Sequence, residues 1–83
     1  MLTIKVLGSG CKNCEKVEAI TKSAVAKMGV EAAVEKVTDY GEIMQYNVLA
    51  TPGLVMNEQL VAAGRIPSEA EVTTWIVDAM ARE

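Results

Sequence analysis

Apolar and polar positions change their spacing several times along the chain, and each change marks an element. Leu2, Ile4 and Val6 alternate with Thr3 and Lys5 up to Leu7, the period-two pattern of a strand, and Gly8-Ser9-Gly10 ends it in a turn. Beyond the turn the period lengthens. Cys14, Val17, Ile20, Ala24 and Met28 recur at helical steps and share one face, while Lys12, Glu15, Lys16, Lys22 and Lys27 fall mostly off it. Gly29 is the residue a helix C-terminus prefers, because a left-handed backbone there carries no Cβ penalty. Glu31 to Val37 predicts a second strand, with Ala33 and Val37 set among charged Glu35 and Lys36.

Asp39 with Glu42 predicts a capping box for a short helix that ends near Tyr46-Asn47. Leu54-Val55-Met56 and Leu60-Val61-Ala62 flank Asn57-Glu58-Gln59 as the two strands of a tight hairpin. Ser68 and Glu71 make a second capping box after Pro67, ahead of a helix whose buried stripe is Val72, Trp75, Ile76 and Ala79. The order is β-α-β-α-β-β-α. A helix joining the first two strands makes them parallel, with a right-handed crossover. The hairpin adds two antiparallel strands, so the predicted fold class is α/β: a four-stranded mixed sheet flanked by helices in a three-layer sandwich. With 83 residues there is room for one core, and residues 1–83 are expected to form a single domain.

Composition narrows the function classes. Ala and Val dominate the apolar set and Phe is absent, so the core is expected to be thin. A net charge of −3 without clustered cations argues against a sequence-independent hold on nucleic acid or anionic lipid. No aliphatic run is long enough to span a bilayer and no secretion signal is apparent, which makes the cytoplasm the expected address. Structural disulfides rarely persist there. His is absent, which removes Ser-His and Cys-His nucleophile pairs, imidazole acid–base catalysis and His-ligated zinc. Trp75 reads as core, Tyr40 and Tyr46 as cover for the short second helix, and Met28, Met44, Met56 and Met80 as gap-fillers.

The remaining chemistry lies in Cys11-Lys12-Asn13-Cys14, placed where a strand runs through a glycine-rich turn into a helix. Thiols three residues apart on a first helical turn face the same side and can close a disulfide. The leading cysteine stands at the helix N-terminus, where free N–H groups and the macrodipole favour an anion, so Cys11 is expected to titrate below a free thiol. Cys14 opens the apolar stripe and is expected to be the more buried partner. Cys11 would then attack a substrate disulfide and Cys14 would resolve the mixed disulfide. The alternative is a soft-metal-binding module or carrier, in which the same two thiolates hold Cu(I) or a similar ion. A closed zinc site needs four ligands, and the chain offers two cysteines and no histidine. A redox sensor that exchanges partners without turnover is a third reading. Thr51-Pro52 reads plainly as a loop proline ahead of a strand, for which a trans bond is the base-rate expectation. The functional reading is a cis bond that leaves the Thr51 backbone to pair with an extended peptide.

Taken in this order, the strand, glycine-rich turn, Cys-x-x-Cys, helix and Thr-Pro before a hairpin resemble the thioredoxin-fold family. The likeness is to its small glutaredoxin-sized branch, the thioredoxin-like small redox-active disulfide proteins. It runs over essentially the whole chain: Val6-Leu7-Gly8 with Cys11 and Cys14, Glu35-Lys36-Val37-Thr38-Asp39, Tyr46-Asn47-Val48 leading to Thr51-Pro52, and Ala63-Gly64-Arg65 with Pro67. The resemblance implies a thioredoxin/glutaredoxin-like thiol–disulfide oxidoreductase of electron transport, acting on protein or small disulfides. It implies Cys11 as nucleophile, Cys14 as resolving thiol, and Thr51 and Pro52 at the substrate site with Pro52 as the cis-proline. No metal or other cofactor is expected. The expected partners are a disulfide-containing protein substrate and an upstream reductase, with the chain a monomer. The sequence also departs from its relatives. Gly10 precedes Cys11, Lys12-Asn13 lies between the cysteines, and Lys5 stands where conventional thioredoxins carry a buried carboxylate that accepts a proton.

Overall fold

Seven elements follow one another in the computed structural model, which describes residues 2–8, 12–48 and 50–82. They are β1 (Leu2–Leu7), α1 (Lys12–Met28), β2 (Ala32–Val37), α2 (Tyr40–Met44), β3 (Gly53–Met56), β4 (Gln59–Ala63) and α3 (Glu69–Ala81). β1 pairs in parallel with β2 and antiparallel with β3, and β3 pairs antiparallel with β4. The strand order β2-β1-β3-β4 makes the sheet mixed, as the element order predicts.

The alternation along β1 separates the layers. Leu2, Ile4 and Val6 are buried with Val17 and Ala24 of α1 and Val72 and Ile76 of α3. Leu7 points to the opposite face and packs with Val37, Ile43, Val48 and Val55. α1 and α3 therefore share one face and α2 lies over the other, which gives the three layers. Among the described residues no helix is long and apolar enough to cross a membrane.

The punctuation residues act locally, with some departures from expectation. Gly29 has φ +65° and its N–H donates to the Val25 and Ala26 carbonyls, closing α1 with a left-handed cap. The Ser68 hydroxyl accepts from the Glu71 N–H at 3.1 Å and the Glu71 carboxylate accepts from the Ser68 N–H at 3.1 Å, completing the expected capping box. Asp39 caps α2 differently. Its carboxylate accepts from the Gly41 N–H at 3.1 Å, and the helix ends at Met44, before the expected limit. The hairpin turn is the pair Asn57-Glu58, with φ of +48° and +69°, rather than a turn extending to Gln59. Two left-handed residues match the twist of a two-residue hairpin. Asn57 also fastens the turn to β1: its side chain accepts from the Thr3 N–H at 3.0 Å and its own N–H donates to the Thr3 carbonyl at 2.8 Å.

Several side chains sit elsewhere than expected. Tyr40 is 72% exposed and covers little, whereas Tyr46 packs on the α2-side cluster. Met44 and Met80 are exposed; Met56 is buried and Met28 half-buried against the core. Trp75 lies half-buried on the core margin with the Arg65 guanidinium 5.7 Å from its ring centre. Thr21 is fully buried in the α1 stripe because its hydroxyl donates to the Val17 carbonyl at 2.8 Å, so burial leaves no unpaired group.

Candidate functional site

Three distant segments meet at Gly8, just past the end of β1. The Gly8 N–H donates to the Val37 carbonyl at 3.0 Å and holds this point to the end of β2. A Cβ placed on Gly8 would overlap the sulfur of Cys14, lie 3.2 Å from the Cys14 Cβ and touch the Thr51 Cβ at 3.9 Å. Gly8 is not among the residues with positive φ, so the position needs the absence of a side chain rather than a special backbone. The end of β1, the first turn of α1 and the loop before β3 thus converge on one point.

Cys14 stands in the first turn of α1 at the head of its buried stripe. It is 3% exposed and its sulfur is in a disulfide. Lys12 and Asn13 beside it are exposed. The expectation for Cys11 falls outside the described residues. The Thr51–Pro52 peptide bond is cis. Thr51 is exposed and Pro52 buried, and the Pro52 carbonyl accepts from the Gly64 N–H at 2.8 Å, which ties this loop to the end of β4. Among the described residues, none forms a backbone hydrogen bond with Thr51.

Lys5 is the departure foreseen in the strand. It lies on the α2 face, where its ammonium donates to the Tyr46 hydroxyl at 2.9 Å and to the Glu58 carboxylate at 2.7 Å. The Tyr46 hydroxyl donates to the second Glu58 oxygen at 2.9 Å, closing a ring of three side chains. The hydrogen bond to Glu58, and after it the one to Tyr46, raises the Lys5 ammonium well above the usual lysine range. The same contact from Lys5 holds the Glu58 carboxyl below the carboxylate range. With Val37, Glu42 and Gln45 these three line a cleft of about 260 Å³. A lysine kept protonated in this way accepts no proton, so Lys5 does not stand in for a carboxylate base.

In the sequence Gly8 reads as part of a turn and of the Val6-Leu7-Gly8 segment that carries the family resemblance, with nothing to mark its contact with Cys14, and Lys5 shows no partner. The signal for Lys5 was a lone charge inside an apolar strand; Gly8 had none beyond ending that strand directly. Among the described residues no group of three or more Cys, Asp or Glu side chains converges in a way that could hold a metal ion.

The sequence profile of the thioredoxin domain matches residues 2–77. A thioredoxin of Methanothermobacter thermautotrophicus is 33% identical over 72 residues, which cover 87% of this chain and 94% of that protein. A thioredoxin of Methanocaldococcus jannaschii is 38% identical over 72 residues, 87% of this chain and 83% of its own. Among solved structures, the germline-specific thioredoxin Deadhead (Thioredoxin-1) of Drosophila melanogaster superposes with a TM-score of 0.64. It is 23% identical, and the match covers 93% of this chain and 79% of that one, a likeness of fold.

Proposed function

Since this chain belongs to the thioredoxin family, we propose that it is a thiol–disulfide oxidoreductase whose exchanging pair is Cys11 and Cys14. One observation carries the reading: Cys14 and Thr51, far apart in sequence, flank the same point at Gly8. A buried cysteine sulfur beside an exposed Thr51, whose backbone pairs with none of the described residues, suits a site where an extended substrate lies against a disulfide.

In the proposed cycle the Cys11 thiolate attacks one sulfur of a substrate disulfide. The substrate S–S bond breaks, a mixed disulfide forms, and the departing substrate sulfur leaves as a thiolate that takes a proton from water. Cys14 then loses its proton and attacks the Cys11 sulfur. The Cys11–Cys14 bond forms, the mixed disulfide breaks, and the second substrate thiol is released. The substrate has gained two electrons and the cysteine pair has lost them. Cys11 immediately precedes α1, which begins at Lys12, and a helix N-terminus favours the thiolate that the first step needs. With Lys5 committed to Glu58 and Tyr46, the Cys14 proton passes to solvent. Thr51 and Pro52 receive the substrate backbone. An upstream reductase returns the electrons, and the chain acts as a monomer on disulfide-containing proteins in the cytoplasm.

The test is intermediate trapping. Cys14→Ser accumulates mixed disulfides with a protein disulfide substrate and Cys11→Ser forms none; equal trapping by both variants refutes the assignment.

A further inference from the structure

We propose that Gly8 is a positioning residue for the resolving sulfur: its missing side chain is the seat that the Cys14 sulfur occupies in the disulfide state. The inference rests on the exchange reading above and adds to it a residue that takes no part in the chemistry. Three observations carry it. The space a Gly8 Cβ would fill is occupied by the Cys14 sulfur, with the Cys14 Cβ 3.2 Å away. Gly8 has no positive φ that would call for glycine on backbone grounds. The backbones of both partners are held: the Gly8 N–H donates to the Val37 carbonyl at 3.0 Å, and Cys14 lies in the first turn of α1.

A methyl group at Gly8 therefore competes with the sulfur, and the competition depends on redox state. In the dithiol the Cys14 sulfur can rotate about χ1 to another staggered position. In the disulfide it is held by its bond, so the overlap remains. Gly8→Ala is expected to penalise the oxidised pair more than the reduced pair. It also moves the resolving sulfur away from the position it takes as the disulfide closes. The Thr51 Cβ, at 3.9 Å, is in ordinary contact distance of the added methyl and leaves the substrate loop undisturbed.

The experiment has two parts. Wild type and Gly8→Ala are equilibrated in glutathione redox buffers, and the lifetime of the mixed disulfide with a small aromatic disulfide is followed in single turnover. The expected result is a shift of roughly tenfold toward the dithiol, about 30 mV toward a more oxidising pair, with a mixed disulfide that persists longer. An unchanged equilibrium and lifetime overturn the positioning role while leaving the exchange reading intact; a wild-type chain that neither titrates nor exchanges overturns both. The second part compares Gly8→Ala in wild-type and Cys14→Ala backgrounds by urea denaturation. A loss of stability, or of folding, that Cys14→Ala relieves supports a clash with sulfur, and an equal loss in both backgrounds overturns it.

Discussion

The two faces of the sheet are held by different means. On one, α1 and α3 lay Val17, Ala24, Val72 and Ile76 over Leu2, Ile4, Val6, Leu54 and Met56, an aliphatic and thioether contact with Trp75 at its margin. On the other, a helix of five residues brings little more than Ile43 to Leu7, Val37, Val48 and Val55. Where aliphatic cover ends, Lys5, Tyr46 and Glu58 take over with mutual hydrogen bonds. Burial stabilises in proportion to apolar area removed from water, whereas half-exposed ion pairs are screened and contribute little. One strand, β1, faces both regimes through successive residues. The lesson is that a small chain without Phe builds one full core and closes its second face with polar contacts.

The largest test of this contrast is a pair of truncations. Ile76→Ala on the two-helix face is expected to cost about 3–5 kcal/mol, and Ile43→Ala under the one-turn helix about 2 kcal/mol, because a short helix settles into the gap. Urea denaturation measures both, and equal losses would remove the distinction between the faces. Next in size is Tyr46→Phe, which deletes the hydroxyl joining Lys5 to Glu58. A loss on the order of 1 kcal/mol is expected, and it should diminish at high salt, where screening weakens the charged contacts in the wild type. A salt-independent loss would mean that the ring packs rather than pairs.

The smallest effect sharpens the boundary of the contrast, since the two-helix face has an ion pair at its rim. The Arg65 guanidinium, 2.7 Å away, and then the Ser68 N–H hold the Glu71 carboxyl down at about 2, against an ordinary 4.5. A carboxyl lowered on folding adds stability above its unfolded range and loses it as pH falls toward the folded value. The stability difference between wild type and Glu71→Gln should therefore be constant above pH 4.5 and shrink between 4.5 and about 2. A difference that persists at the acid end would exclude the ionised pair as its source.

Most of the fold was legible because its signals are local. Alternation in Leu2 to Leu7, helical spacing from Cys14, Gly29 as a stop and the Ser68–Glu71 box each act within a few residues, and each appears where the pattern put it. What was not legible depends on chain segments far apart. The residues of Thr51-Pro52 alone favour trans; the bond is cis, as the family likeness implied. Glu58 occupies a left-handed turn position that usually signals itself by glycine, and the partners that hold it, Lys5 and Tyr46, come from β1 and the turn after α2. Tyr40 was expected to cover a helix that proved too short to cover. At the candidate site the cysteine spacing was plain, but Gly8 was not, since a glycine chosen for the space it leaves carries no mark of its neighbour.

The inner place of β1 has a consequence for the growing chain. Its parallel partner begins at Ala32 and its antiparallel partner spans Gly53 to Met56, so β1 is flanked by strands that emerge after it. Until Gly53 to Met56 leave the ribosome, one edge of β1 has no neighbour to take its amides and carbonyls. A nascent or interrupted chain lacking β3 would expose Leu2, Ile4 and Val6 beside an open edge, the template on which stray strands aggregate.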